Sequence, residues 1–257
     1  YRLDQTGANP AGTVHFKGTD AVNIVLKVNG LHVEAPYPDD EIETVHKPLL
    51  RQLAKQHFDS PSRRTIVFLS APPGTGKSTL TAFWEYLSHQ TEGLAPIQTL
   101  TMDGFHHYNV WLEAHNLRAY KGAPETFDVD RLAQHLRQIK EGDGTWPQYD
   151  RQTHDPVEGA IVVTAPIGIV EGNWLLLDDE RWRALMEYCD FSLFIRAPAE
   201  ALRTRLVGRK LAGGLSLTDA EAFYARTDGP NVERVLRHSR PARVELSMSA
   251  NGEYRLV

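Results

Sequence analysis

An α/β fold with a mainly parallel sheet flanked by helices is predicted, and three observations carry it. Short β-branched runs at 63–70, 97–102, 167–177 and 191–198 alternate with segments of helical periodicity. The first run passes through a glycine-bearing loop, SAPPGTGKSTL, directly into a helical segment. The chain has 257 residues, 41% apolar and 24% charged, the usual balance of a folded domain with a sizeable core.

The elements follow in order. Residues 1–20 are rich in Gly, Thr and Asn, lack periodicity and lack an initiating Met; they are expected to be poorly ordered or foreign to the fold. NIVLKVNGLHVEA alternates apolar and polar residues about Asn29-Gly30, which predicts a β-hairpin with a primed turn. Ile42, Val45, Leu49, Leu50 and Leu53 recur at helical spacing, with Pro48 marking a kink or restart. Strand 63–70, helix 78–90, strand 97–102, helix 131–142 and the strand regions 167–177 and 191–198 come next. A basic helix then ends at Gly213-Gly214, and 244–257 reads as a second hairpin turning at Asn251-Gly252. No linker separates two cores, so 21–257 is expected to be one domain, with 21–62 as its N-terminal hairpin and helix extension.

Composition excludes several function classes. A net charge of −5 argues against nucleic acid or an anionic membrane as main partner. Cys189 is the one cysteine, so neither an internal disulfide nor a cysteine-based zinc site can form. No apolar run approaches the roughly 20 residues that span a bilayer, and no secretory pattern is visible; a cytoplasmic protein is expected.

The strongest motif is Ala71-x-x-x-x-Gly76-Lys77-Ser78, a Walker A phosphate loop with Ala at its first position. Backbone N–H groups and the helix N-terminus cradle phosphate oxygens, Lys77 neutralises their charge, and the Ser78 hydroxyl can ligate Mg²⁺. The nucleotide site is therefore expected over Pro73, Gly74, Thr75, Gly76, Lys77, Ser78 and Thr79. This much leaves kinase, motor, switch and sensor open, although no Asn-Lys-x-Asp guanine signal occurs.

Asp103, in LTMDGFHHYNVW, lies 26 residues after Lys77 at the end of the next apolar run, which places it at a carboxyl strand end beside the phosphate loop. A hydroxyl attacking a γ-phosphate needs a proton acceptor within roughly 3 Å, and a carboxylate there can supply it. Gly104 is expected to let the chain turn, and Phe105 to pack beneath the loop.

Taken in order, DGFHHYN, KGAPETFDVDRL, WPQYDRQTHDPV, IVEGNWLLL and RTRLVGRKLAGG resemble the phosphoribulokinase/uridine kinase-like family of P-loop kinases. The similarity is closest to the pantothenate kinase-like branch and to bacterial sugar or nucleoside kinases, over roughly 22–257. The resemblance implies ATP and Mg²⁺ as cofactors, Asp103 as the base, and Glu171 with Ser78 at the metal. It also implies a basic lid with Arg209 first and Arg205 second, and Asn231 at the nucleotide or acceptor pocket. His106, His107, Tyr108, Tyr149, Arg151 and His154 are implied to line the acceptor pocket.

Uridine kinases carry an aromatic residue at the Arg151 position and an Asp at the Gly122 position, so a nucleoside is disfavoured here. Arg151 suits an anionic or polyhydroxylated acceptor: a sugar, a sugar phosphate or a pantothenate-like molecule. The expected function is ATP-dependent phosphorylation of such an acceptor. A nucleoside kinase, a non-catalytic nucleotide-binding regulator and, more distantly, a hydrolase centred on His106-His107 are the alternatives. Expected partners are nucleotide and acceptor, with neither nucleic acid nor membrane, and a homodimer is left open.

Overall fold

The computed structural model describes residues 13–15, 21–28, 31–60 and 62–257. Its first sheet is antiparallel, in the order β1 (Thr13–His15), β2 (Ala21–Val28), β3 (Leu31–Pro38). Val28 pairs with Leu31, the register a two-residue connection requires, while Asn29 and Gly30 themselves lie outside the described residues. Within the stretch expected to lack order, Thr13–His15 pairs with β2.

α1 (Asp39–Glu41), a π-turn over Ile42–His46 and α2 (Lys47–Phe58) run on as one rod. Pro48 sits in the first turn of α2, where the wide turn before it accommodates the missing N–H without a break.

The central unit then unfolds as alternating strands and helices. β4 (Thr65–Ser70) leads through the phosphate loop into α3 (Lys77–Gln90), and β5 (Ile97–Thr101) ends in a 3-10 turn, Met102–Phe105. α4 (Asn109–Ala114) and α5 (Val129–Glu141) precede a two-stranded ribbon, β6 (Gly144–Asp150) and β7 (Asp155–Val163). β8 (Ile167–Gly172), α6 (Glu180–Arg183), β9 (Phe191–Arg196), α7 (Ala199–Ala212), α8 (Leu217–Phe223) and α9 (Gly229–His238) follow. The closing hairpin is β10 (Val244–Met248) with β11 (Tyr254–Leu256).

Six strands make the main sheet in the order β11-β10-β9-β4-β8-β5, parallel except for β11. Every residue of β4 is buried, as befits a strand covered on both faces. Its side chains alternate between two cores: Val67 and Leu69 pack towards α2, α3 and the first sheet, Ile66 and Phe68 towards α5 and the segment 174–188. Arg64, 2% exposed, lies just before β4. It donates to the carbonyls of Ala165 (2.7 Å), Val163 (3.1 Å), Ile139 and Gly142 and to Asp143 Oδ1 (3.0 Å), so it closes the C-terminal end of α5.

The β6–β7 ribbon is an element that alternation did not reveal. Its register shifts between Trp146 and Gln148, and Pro147 interrupts the pattern. Trp146 Nε1 donates to the Thr101 carbonyl at 2.8 Å, which fastens the ribbon to the end of β5.

No helix among the described residues is long and apolar enough to cross a membrane.

Candidate active site

The site forms where β4, β5 and β8 end. After β4 the chain needs two left-handed residues, Gly74 (φ +88°) and Gly76 (φ +79°), to curl round the ligand position before α3 begins. Ala71, where the motif more often has glycine, is fully buried and fits without strain. The Thr75 side chain is also fully buried and donates to the Pro72 carbonyl (2.9 Å), so only its backbone can face a ligand.

Lys77, on the first turn of α3, donates to Asn173 Oδ1 at 2.6 Å, and Ser78 Oγ donates to Glu171 Oε1 at 2.7 Å. Glu171 and Asn173 come from the carboxyl end of β8 and the step after it. Gly172 between them is required by packing, since a Cβ there would stand 2.6 Å from Met102 Cβ. Burial pushes the Lys77 amine down, with Glu171 and Asp103 opposing, and pushes the Glu171 carboxyl up, with Lys77 opposing. Both charges are thus costly until a counter-charge arrives, the condition in which binding an anion with a cation stabilises the pair. Ser78 and Glu171 together offer two adjacent oxygen ligands, a set that suits Mg²⁺, which keeps most of its waters.

Asp103 stands one turn past β5, and its N–H is capped by Thr101 Oγ1 (3.2 Å). It lines a cavity of about 570 Å³ together with Lys77, Glu171 and Asn173. The chain does turn at Gly104, within the 3-10 turn, but its φ is ordinary, so the turn itself does not require a glycine. A Cβ on it would lie 2.2 Å from the Pro147 carbonyl oxygen, and the glycine is needed because β6 crosses there. Phe105 is fully buried beneath the turn, edge-on to Trp146 at 4.7 Å.

Of the six residues expected around the acceptor, His106, Tyr149 and Arg151 line this cavity. His107, Tyr108 and His154 do not, and the expectation is corrected for them. His106 bridges Phe127 in extended geometry, so it faces in and its neighbour faces out. His107 stacks on Trp111 at 3.7 Å, and the Tyr108 hydroxyl donates to Glu158 (3.0 Å) on the outside of the ribbon. His154 takes a left-handed turn conformation (φ +56°), and its carbonyl accepts from Lys121 Nζ (2.5 Å).

His106 Nδ1 lies 2.8 Å from the Asp103 carbonyl, which can only accept; Nδ1 therefore carries the proton and Nε2 is left as an acceptor. Burial lowers the His106 pKa, against the pull of Asp103. The Tyr149 hydroxyl is pushed up to about 12, by burial first and then by Asp103. Lys121, 5.0 Å from the centre of the Tyr149 ring, also lines the cavity.

A second cavity of about 580 Å³ opens on the other side of the loop, lined by Gly76, Thr79, Val28, Val33 and the α7 residues Arg205, Leu206 and Gly208. Pro73 faces the Asp103 side, while Gly74, Lys77, Ser78, Arg151 and Arg209 line both. Arg205 and Arg209, four residues apart, share one face of α7 as expected. Arg205 Nε, however, is given to the Gly74 carbonyl (2.8 Å). Asn231 lines the Asp103 cavity and not the second one.

Sequence reasoning did not single out Asn173, Lys121 or Asp228, all of which line the Asp103 cavity. Asn173 had a usable signal, a polar residue just past a buried strand, and Lys121 opens the KGAPETFDVDRL segment.

No family model matches the chain. It is 65% identical over 233 residues to the uncharacterised protein YggC of Escherichia coli, covering 91% of this chain and 98% of that one. It is 32% identical over 175 residues to a protein of Schizosaccharomyces pombe provisionally described as a uridine kinase, covering 65% and 74%. Among solved structures, a protein of Silicibacter sp. TM1040 provisionally described as a fructose transport system kinase superimposes with a TM-score of 0.69. It is 34% identical, covering 76% of this chain and 98% of that one.

Proposed function

Because the chain belongs to the phosphoribulokinase/uridine kinase-like family of P-loop kinases, we propose that it transfers the γ-phosphate of ATP to a hydroxyl of a small polyhydroxylated or anionic acceptor. The observation that carries this reading is one cavity lined at once by Lys77 of the phosphate loop, Asp103 after β5 and Glu171 of β8.

In this reading the triphosphate lies along the loop, its terminal phosphate between the two cavities. Lys77 and Arg209, which line both, neutralise the charge that spreads over the transferring group. Asp103 accepts the proton of the acceptor hydroxyl as its oxygen bonds to the γ-phosphorus. The bond to the β-phosphate oxygen breaks, and ADP leaves with that electron pair. Ser78 and Glu171 would hold Mg²⁺, which when bound supplies further neutralisation of the β- and γ-oxygens. Arg151, His106 through its free Nε2, Tyr149 and Asn231 orient the acceptor. Arg151 offers several donors in a fixed fork, which favours a carboxylate, a phosphate or paired hydroxyls over an uncharged base.

The test is ADP release with Mg²⁺ over a panel of pantothenate, pentoses, hexoses, their phosphates and nucleosides, with the product identified by mass. Asp103→Asn is expected to keep ATP affinity and to lose about 10²- to 10⁴-fold in turnover, the usual worth of a general base. Turnover like the parent's would remove Asp103 from the mechanism. ATP binding without turnover on any acceptor would favour a nucleotide-binding regulator.

A further inference from the structure

We propose that Arg205 and Tyr254 are positioning residues that set the phosphate loop by pinning two successive peptide planes. The inference rests on the proposed function, in that the loop's ligand is a polyphosphate. A trans peptide is planar, so fixing a carbonyl on one side aims the following N–H to the other. Arg205 Nε donates to the Gly74 carbonyl at 2.8 Å, which turns the Thr75 N–H the opposite way. The Tyr254 hydroxyl donates to the Thr75 carbonyl at 2.7 Å, which does the same for the Gly76 N–H. Both planes lie between Gly74 and Gly76, the residues with the freest torsions in the loop. Left unpinned, either plane could rotate and present a carbonyl oxygen to phosphate oxygens, replacing an attraction with a repulsion.

Tyr254 is itself anchored for this. Its backbone N–H donates to Glu41 Oε2 (3.0 Å), and Glu41 Oε1 accepts from His46 Nε2 (2.8 Å). His46 Nδ1 accepts from the indole of Trp84 (3.0 Å), a group that can only donate, so the histidine tautomer is fixed. Trp84 is on α3, the helix that the phosphate loop opens. The chain of bonds thus runs from that helix through the π-turn after α1 to β11 and back to the loop. All its side chains are buried, and every link is a donor meeting an acceptor. The fit is close: a Cβ on Gly76 would stand 3.1 Å from the Tyr254 hydroxyl. Burial raises the pKa of that hydroxyl far above the ordinary tyrosine value, so it remains a donor.

The experiment is equilibrium binding, by calorimetry, of MgATP and of inorganic tripolyphosphate to the parent, Tyr254→Phe, Arg205→Lys and Tyr37→Phe. Tyr37 is a buried tyrosine of the same core, stacked on Phe83 at 3.8 Å, and makes no hydrogen bond to the loop. Tyr254→Phe is expected to bind both ligands roughly three- to tenfold more weakly, the worth of one hydrogen bond. Arg205→Lys, which keeps the charge but loses the planar Nε donor, should lose a similar factor, and Tyr37→Phe should bind as the parent does. Parent-like binding by Tyr254→Phe overturns the inference. So does an equal loss in Tyr37→Phe at matched melting temperature, which would mark a general effect of core destabilisation. A parent that binds neither ligand sinks the proposed function first, and the inference with it.

Discussion

At the scale of single residues, the site is governed by what burial does to charge. Lys77 and Glu171 are both pushed towards neutrality, and the His106 pKa is lowered beside the Asp103 turn. The histidine gives a signed pH dependence. Its folded pKa lies below the ordinary 6.5, so the stability it contributes is fully present above that value and is lost as pH falls through the lowered folded pKa. The cost is that of charging a buried ring whose Nδ1–H already serves the Asp103 carbonyl. His106→Asn, whose amide can make the same donation, removes the titration. Between about pH 7.5 and about pH 5.5 the parent should therefore lose more denaturant resistance than the variant. Parallel losses would assign the acid sensitivity to other groups, of which His107, also lowered by burial, is the nearest.

At the scale of elements, the carboxyl ends of three parallel strands bring the phosphate loop, Asp103 and Glu171 together, and the flanking packing holds those ends in register. Arg64 is the clearest case. One buried guanidinium binds carbonyls at the C-terminal end of α5, at the end of β7 and just after it, so it joins α5 to the ribbon and the sheet. Arg64→Met fills the volume but orphans those carbonyls. The expected loss is about 3 kcal/mol in denaturant unfolding, with turnover per folded molecule unchanged. A loss within about 0.5 kcal/mol would show that water replaces the guanidinium at little cost.

Elements of this kind were legible where periodicity is local. The largely apolar β4, the helices α3, α5 and α7 and both terminal hairpins follow from residue spacing alone, whereas α4, α6, α8 and α9 were not read from it. The β6–β7 ribbon was not legible, because a bulge and Pro147 break its alternation. Nor was the true reason for Gly104, which depends on a strand crossing from more than forty residues further on. The partners of the phosphate loop escape for the same reason. Asn173 is 96 residues from Lys77 and Tyr254 is 179 from Thr75, and nothing in local sequence pairs them. Within the HHY run, only the extended pairing of His106 with Phe127 decides which side chain faces the Asp103 cavity.

At the scale of the whole molecule, the first sheet is joined to the central unit through a shared core. Ile24, Leu26 and Tyr37 pack in the same core as Val67, Leu69, Phe83 and Trp84. Its outer end continues into the site, since Val28 of β2 and Val33 of β3 line the second cavity together with residues of α7. An apolar wall facing a basic helix, with the phosphate loop between them, suits a ligand that is flat and apolar at one end and anionic at the other. The base of ATP would then lie against the sheet. Replacing the pair together, Val28→Ser with Val33→Ser, removes that wall without adding charge. The expected result is roughly tenfold weaker binding of MgATP, from the lost apolar contact, with tripolyphosphate affinity unchanged. Tyr254→Phe should instead weaken both ligands alike, so the two sets of variants separate recognition of the base from recognition of the phosphates. Equal weakening of both ligands in the valine pair would mean that the sheet supports the loop instead of contacting the base. Unchanged binding of both would place the base elsewhere along α7.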